Sequence, residues 1–523
     1  MFKRDFVKLV SFSAVFYFMC GLPDLQGSVK NTKGGLPNIV FIMADDMGYG
    51  DSGCYNPESK IPTPNIDALA KSGMRFTDAH SPSSVCTPTR YGVLTGRYCW
   101  RTRLKQGVLG GYSPPLIESD RLTLASMLKQ RGYSTVCIGK WHLGSTFHAK
   151  DGKPTARESK IDFSKPITGG PAALGFDYSF FTAGCGTVAP PYGFIENERF
   201  VDKEFAFYDK KKMNPGVLNN SGMMGKSWIT KDADVVIAKK ACEYIEKRSH
   251  NDGPFFMYLT PNAPHEPCVE AVVPEFARGK SRAGARGDLV WLFDWIVGEV
   301  VGTLKKTCQL ENTLIIVTSD NGALPGDFVI DENNRRVALK GRNFVFKTYD
   351  HKSTGDLRGF KAHIWEGGHR EPLIVSWPGK VRANTVSNQL VCLTDFMATF
   401  ADVVNFKLPN DAAEDSLSVL PVLTGREGDR PVREAIVHHS SYGVFSVRRG
   451  GWKLIVETKG SGGWPTPRGG RPKPGTPGQL YDIYNDPAEQ NDLWDQKPQI
   501  GAKLTKLLEG YKQSGRSVAN REK

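Results

Sequence analysis

Five short apolar runs, each read as a strand followed by charged or imidazole residues, constrain this chain more than anything else in it. They are NIVFIMADDMGYGD, STVCIGKWHLG, PFFMYLTPNAPH, NTLIIVTSDNG and REPLIVSWPG. Their length and β-branched content indicate buried strands, and helical patterns lie between them. One such helix is RLTLASMLKQRG, from Arg121 to Gly132, with Ser119 or Asp120 as its cap and Gly132 as its stop. Strands alternating with helices predict an α/β fold: a large mixed, mostly parallel sheet flanked by helices. Open sheets of this kind bind ligands at the carboxyl ends of their strands, which is where this chain places its polar residues.

After about Glu427 the pattern changes. VFSVRRGGWKLIVET reads as two antiparallel strands around Gly450 and Gly451, and GQLYDIYNDP as another, which predicts a smaller C-terminal antiparallel sheet domain. The expected division is 36–426 for the α/β domain and 427–523 for the small sheet with a basic tail. Between the small sheet's strands runs GSGGWPTPRGGRPKPGTPG, a Gly/Pro/Arg-rich loop near Trp464. The segments from Lys150 to Ser227 and from Pro325 to Asp356 read as polar, irregular insertions, which more often carry specificity than core.

Residues 1–27 have the layout of a secretory signal peptide, with Lys3, Arg4 and Lys8 ahead of an apolar run from Leu9 to Met19. That run is shorter than the roughly 20 residues of a membrane span, so the expectation is an exported protein without a membrane span, periplasmic or secreted. The ten cysteines form neither a CxxC pair nor a zinc pattern. Those in apolar runs, such as Cys137 and Cys392, read as buried thiols. The net charge of +13 favours an anionic partner, though the basic C-terminal stretch supplies part of it. No helix-turn-helix, finger spacing or aromatic RNA-binding signature is present, so nucleic acid is not expected as a partner.

Asp45 and Asp46 end one strand, and Asp320 and Asn321 end another. Four oxygen donors with no sulfur or imidazole among them suit calcium or magnesium rather than zinc or copper. A DD pair after a strand is usually a solvated turn; two such pairs on one sheet point to a metal site. Lys140 and His142 end a third strand, His265 ends a fourth, and Lys361 lies in RGFKAHIWEGGHREP. A lone strand-end histidine is usually structural. Several lysines and histidines meeting Arg90 in one crevice would instead build a pocket for a compact oxyanion.

The segment CTPTR, Cys86 to Arg90, within SPSSVCTPTRYGVLTGRY, resembles the CxPxR signature of the sulfatases. NIVFIMADDMGYGD, TPNIDALAKSGMRFTDAH, GYSTVCIGKWHLG, VTSDNG and LYDIYNDPAEQNDL resemble further motifs of that family, in its order, from about Leu36 to Leu493. The resemblance implies an alkaline-phosphatase-like fold and a sulfuric ester hydrolase of arylsulfatase type. It also implies that a separate formylglycine-generating enzyme oxidises Cys86 to formylglycine. One calcium ion would be held by Asp45, Asp46, Asp320 and Asn321, with the modified Cys86 completing the shell. By the same mapping Arg90 and Lys140 fix the hydrated aldehyde, Asp320 is the base for its attacking hydroxyl, and His142 takes the second hydroxyl's proton. His265 and Lys361 bind sulfate and serve the departing oxygen. Some family members carry a further serine after a GF motif; LGFDYSFFTAGCGT offers Ser179, Thr182 and Cys185, and that role stays unassigned.

Two rivals accompany this reading. One is a phosphomonoester or phosphonate hydrolase of the same fold, which would need more metal-binding histidines and aspartates. The other is a carbohydrate-binding homologue without catalysis, which would lack part of the reactive set. The basic charge and export favour a sulfated polysaccharide or its oligosaccharides as substrate, with aryl sulfates as surrogates. Tyr192, Phe194, Trp228 and Trp464 are candidates for stacking on sugar rings, and equally for packing.

Overall fold

The computed structural model describes residues 35–521, apart from 213–216, 252, 325–327, 331–335, 339–347, 429–430 and 465–469. The expected signal peptide, much of the second insertion and the middle of the Gly/Pro/Arg-rich loop lie outside them. A ten-stranded sheet runs through the molecule in the order Thr385–Ser387, Met74–Phe76, Leu373–Ser376, Thr313–Ser319, Asn38–Ala44, Phe255–Thr260, Ser134–Lys140, Tyr178–Thr182, Ile195–Glu196, Arg199–Phe200. The five strands from Thr313–Ser319 to Tyr178–Thr182 are parallel to one another.

Asn38–Ala44 is buried along its whole length, as a strand covered on both faces must be. Ile39, Phe41 and Met43 face a core shared with the helices Cys86–Thr95, Leu124–Lys129 and Phe396–Val403. Val40, Ile42 and Ala44 face the other core, shared with Pro64–Ser72, Ala233–Arg248 and Gly284–Lys306. Register then decides the site: Ala44 pairs with Ser319, so Asp45 and Asp320 leave the sheet side by side. Thr260 pairs with Gly139, which brings Lys140 to the same edge. Gly139 has φ 110, and a Cβ there would meet the Thr260 carbonyl oxygen at 2.1 Å, so this tight crossing needs glycine.

Ala435–His439, Phe445–Arg449, Trp452–Ile455 and Gln479–Asp482 form a second, antiparallel sheet. The helix Pro498–Gln513 covers it with Leu504 and Leu508, one turn apart. Leu36–Lys523 is one compact unit. Among the described residues no helix is long and apolar enough to cross a membrane.

Several expectations need correction. The helix expected over Arg121–Gly132 spans only Leu124–Lys129, because Thr123 rather than Ser119 or Asp120 caps it, accepting from the Ser126 amide. REPLIVSWPG is a strand, but Leu373–Ser376 runs antiparallel to its neighbours, so its start and not its end lies at the polar edge. The segment from Lys150 to Ser227 is not all insertion: Tyr178–Thr182 is the fifth parallel strand. Tyr192 and Trp228 are buried in a small cluster with Tyr208 and Leu218, which takes them from the candidates for sugar stacking, while Phe194 is half-buried against it. Cys137 and Cys392 are buried thiols, as expected.

Candidate active site

The helix Cys86–Thr95 is buried at every position and begins at Cys86 itself. Pro88 sits in its first turn, where a missing N–H costs no hydrogen bond. The helix therefore aims its positive end, with Cys86, at the polar strand ends. One turn on, Arg90 is fully buried. It donates to Asp320 Oδ2 from Nε (3.1 Å) and Nη2 (2.7 Å), and to the Lys140 carbonyl from Nη1 (2.9 Å). Thr87 Oγ1 donates to the His142 carbonyl at 3.0 Å, tying the third strand end to the same helix start.

The acids and cations interleave. Lys140 Nζ donates to Asp45 Oδ2 at 2.5 Å, and Lys361 Nζ reaches Asp46 Oδ2 at 2.7 Å and His265 Nε2 at 3.0 Å. Asn321 Nδ2 donates to Asp46 Oδ1 at 2.7 Å. One oxygen each of Asp45 and Asp320 and the Cys86 sulfur lie within 4.8 Å of one another. Asp45 Oδ1 and Asn321 Oδ1, although buried, accept no hydrogen bond from any described residue. Orphaned acceptors among three carboxylates are what an oxygen-seeking cation satisfies. The donor set therefore fits calcium.

Charge follows the geometry. Burial resists ionisation of Asp45, but Lys140, His265, Arg90 and Lys361 together hold its carboxyl far below the usual range. Burial, and then the Asp45 charge, push Asp320 upward against the pull of Arg90. Burial and the Lys361 charge lower His265, yet Cys185, Asp46 and Asp45 outweigh them and raise the imidazole to about 10. Burial, Lys140 and Arg90 keep His142 neutral. His142 Nε2 donates to the Leu109 carbonyl at 2.7 Å, leaving an unprotonated Nδ1 without a partner among the described residues. Burial also raises the Cys86 thiol, which makes it a poor thiolate nucleophile as it stands.

The residues singled out from the sequence as catalytic or metal-binding meet here: Asp45, Asp46, Cys86, Arg90, Lys140, His142, His265, Asp320, Asn321 and Lys361. Of the three residues offered by the GF segment, Cys185 joins them, its sulfur within 4.8 Å of Asp45 and His265 ligand atoms. Ser179 instead accompanies Asn197, and Thr182 donates to Gly184.

A supporting layer escaped the sequence reading. Arg286, in the long helix Gly284–Lys306, forms a two-pronged pair with Asp51 (2.8 and 2.6 Å) and donates to the Asp46 carbonyl at 3.1 Å. His351 Nε2 completes the clamp on Asp51 at 2.9 Å. Asp46 has φ 75, a strained conformation for a non-glycine residue that this clamp holds in place. Arg286→Ala leaves a buried carboxylate without its cation, an expected loss of about 3–5 kcal/mol by denaturant titration. Arg286→Lys, with one donor site in place of a fork, recovers only part of it.

Known proteins resemble this chain over most of its length. The sulfatase family profile matches residues 37–406, and a profile for the C-terminal part of N-sulphoglucosamine sulphohydrolase matches residues 358–458. An N-acetylgalactosamine-6-O-sulfatase of Bacteroides thetaiotaomicron is 35% identical over 511 residues, covering 91% of this chain and 93% of its own. Human arylsulfatase A is 32% identical over 470 residues, covering 87% and 83%. A solved structure from work on glycosaminoglycan metabolism by Bacteroides thetaiotaomicron superposes with a TM-score of 0.78 at 31% identity, covering 92% of this chain and 100% of its own.

Proposed function

Because this chain belongs to the sulfatase family of sulfuric ester hydrolases, we propose that it removes sulfate from a sulfated carbohydrate with a hydrated formylglycine at residue 86 and one calcium ion. The observation that carries this reading is the meeting of a helix-start Cys86 with three carboxylates, two lysines and two histidines in one buried crevice.

Calcium, held by Asp45, Asp46, Asp320 and Asn321, would supply positive charge that draws a sulfate oxygen and the nucleophile together. The residues of the chain perform the rest. A formylglycine-generating enzyme, with an external oxidant, would convert Cys86 to an aldehyde, whose hydrate would carry two hydroxyls on one carbon. Arg90 and Lys140 hold that hydrate. Asp320 takes a proton from one hydroxyl as its oxygen attacks sulfur, and the sugar oxygen leaves with a proton from His265, stabilised by Lys361. His142 Nδ1, unprotonated, then takes the second hydroxyl's proton. Re-formation of the carbonyl would break its C–O bond to sulfate, and water would restore the hydrate. No second attack on sulfur is required.

His265→Ala is expected to cost about 10²–10⁴-fold in kcat on a sugar sulfate, whose alkoxide leaves poorly without a proton. The loss should be smaller on an aryl sulfate with an acidic phenol. Equal losses on both substrates would contradict the acid role.

The relative named N-acetylgalactosamine-6-O-sulfatase makes a 6-O-sulfated amino sugar the first substrate to try. The test is a panel of sulfated mono- and oligosaccharides beside an aryl sulfate, with released sulfate measured. Desulfation of at least one sugar is expected; turnover of the aryl sulfate alone would overturn the carbohydrate assignment. The basic, apolar start of the chain supports export to the periplasm or medium.

A further inference from the structure

Outside the residues assigned above, three histidines meet at the seam between the large sheet and the small one. His80 ends the short strand Ala79–His80, His369 follows the turn Glu366–Gly368, and His438 lies in Ala435–His439. All three are fully buried, and one ring nitrogen of each lies within 4.8 Å of the other two.

Hydrogen bonds at the far nitrogens define how the rings present themselves. His80 Nε2 faces an Asp78 carboxylate oxygen at 2.9 Å, His369 Nε2 the Ile364 carbonyl at 3.1 Å, and His438 Nδ1 the Ser446 hydroxyl at 3.1 Å. With each far nitrogen donating to its oxygen, Nδ1 of His80, Nδ1 of His369 and Nε2 of His438 all carry lone pairs. The first two face each other at 3.0 Å, and the third has no partner among the described residues. Two unprotonated imidazole nitrogens that close repel unless something positive lies between them. Donation from the far nitrogen to a carboxylate, carbonyl or hydroxyl is also how proteins orient histidines that bind a metal. Three neutral imidazoles suit zinc and its neighbours, not calcium.

We propose that His80, His369 and His438 bind a divalent transition metal of the zinc class, separate from the calcium position, which clamps the small sheet to the main body. The surrounding formal charges cancel, Asp78, Glu366 and Glu489 against Arg370, Arg448 and Lys453, with Arg448 Nη1 3.4 Å from His80 Nε2. A groove of about 800 Å³, lined in part by Asp78, Arg370 and Arg448, reaches the layer that contacts His80. The competing occupant is a proton. Lys453 Nζ lies 3.0 Å from His369 Nε2, and if it donates there, the His369 proton moves to Nδ1 and bridges to His80. The proton leaves His438 stacked on His369, ring centroids 3.8 Å apart, with its Nε2 unsatisfied. Metal binding requires one ring to turn out of this stack so that the three lone pairs converge.

The test takes the full-length protein through a chelator, then titrates it with Co²⁺ and, separately, with Zn²⁺ in excess calcium. Expected are the visible bands of a tetrahedral cobalt site without a sulfur-to-cobalt charge-transfer band, and a rise in Tm with Zn²⁺. His438→Gln, close to histidine in size, should weaken Zn²⁺ binding at least about tenfold, and Asp78→Asn about 10–100-fold. Circular dichroism of both variants checks that they fold. No uptake by the wild type overturns the proposal in favour of the bridging proton. So does uptake unchanged in both variants, or a cobalt signal with a sulfur band, which belongs to Cys86 or Cys185. Sulfate-ester turnover is not at stake in any of these outcomes.

Discussion

Cys86→Ala removes sulfate-ester turnover by at least about 10⁴-fold while the protein folds and still binds substrate. The magnitude is that of losing a nucleophile whose covalent step has no substitute in the site. Alanine fits because Cys86 is buried and small, and the helix it starts is held by Arg90 and Thr87 rather than by the thiol. The same crevice of lysines and histidines remains to hold the sulfate, so a labelled sugar sulfate should bind with little change. Rates from purified variant and wild type, with substrate binding by calorimetry, provide the check. Appreciable turnover by the alanine variant would mean that water or another side chain attacks sulfur, and the account of residue 86 would fail.

Calcium removal has the second largest expected effect. Asp45, Asp46 and Asp320 crowd fully buried carboxylates into one site, with two oxygen atoms that accept no hydrogen bond from described residues. Stripping the ion with a chelator should abolish turnover and lower Tm, and readdition of Ca²⁺ should restore both. A ligand at about 100 times its Kd stabilises the folded state by about 3 kcal/mol, which sets the scale of the shift. Asp46→Asn should weaken calcium binding and also destabilise the stripped protein, since it takes the carboxylate from the buried Lys361 ammonium. Lys361 pairs with that carboxylate at 2.7 Å, so the readout specific to calcium is the loss of the Ca²⁺-dependent rise in Tm. Full activity after exhaustive chelation would contradict the assignment of these oxygens.

The parts of the fold that were legible were those written in local pattern. Asn38–Ala44 and Thr313–Ser319 announced themselves by unbroken apolar runs, and parallel pairing of Ala44 with Ser319 did the rest for Asp45 and Asp320. Tyr178–Thr182 was hidden because its place as the last of the parallel strands comes from sheet topology and not from its own short, mixed composition. Cys185 follows that strand, so its place beside Asp45 and His265 was equally hidden. Arg286 looked like one more charge on a long helix; nothing local tells that its guanidinium is fully buried against Asp51. His80, His369 and His438 come from three distant segments, which only the folded chain brings together.

The most direct test of the central claim is mass spectrometry of the tryptic peptide from Phe76 to Arg90, after expression with a formylglycine-generating enzyme. The expected result is a residue 86 that has lost its sulfur and reacts as an aldehyde, in proportion to the specific activity of the preparation. A fully active preparation in which residue 86 is still an unmodified thiol would contradict it.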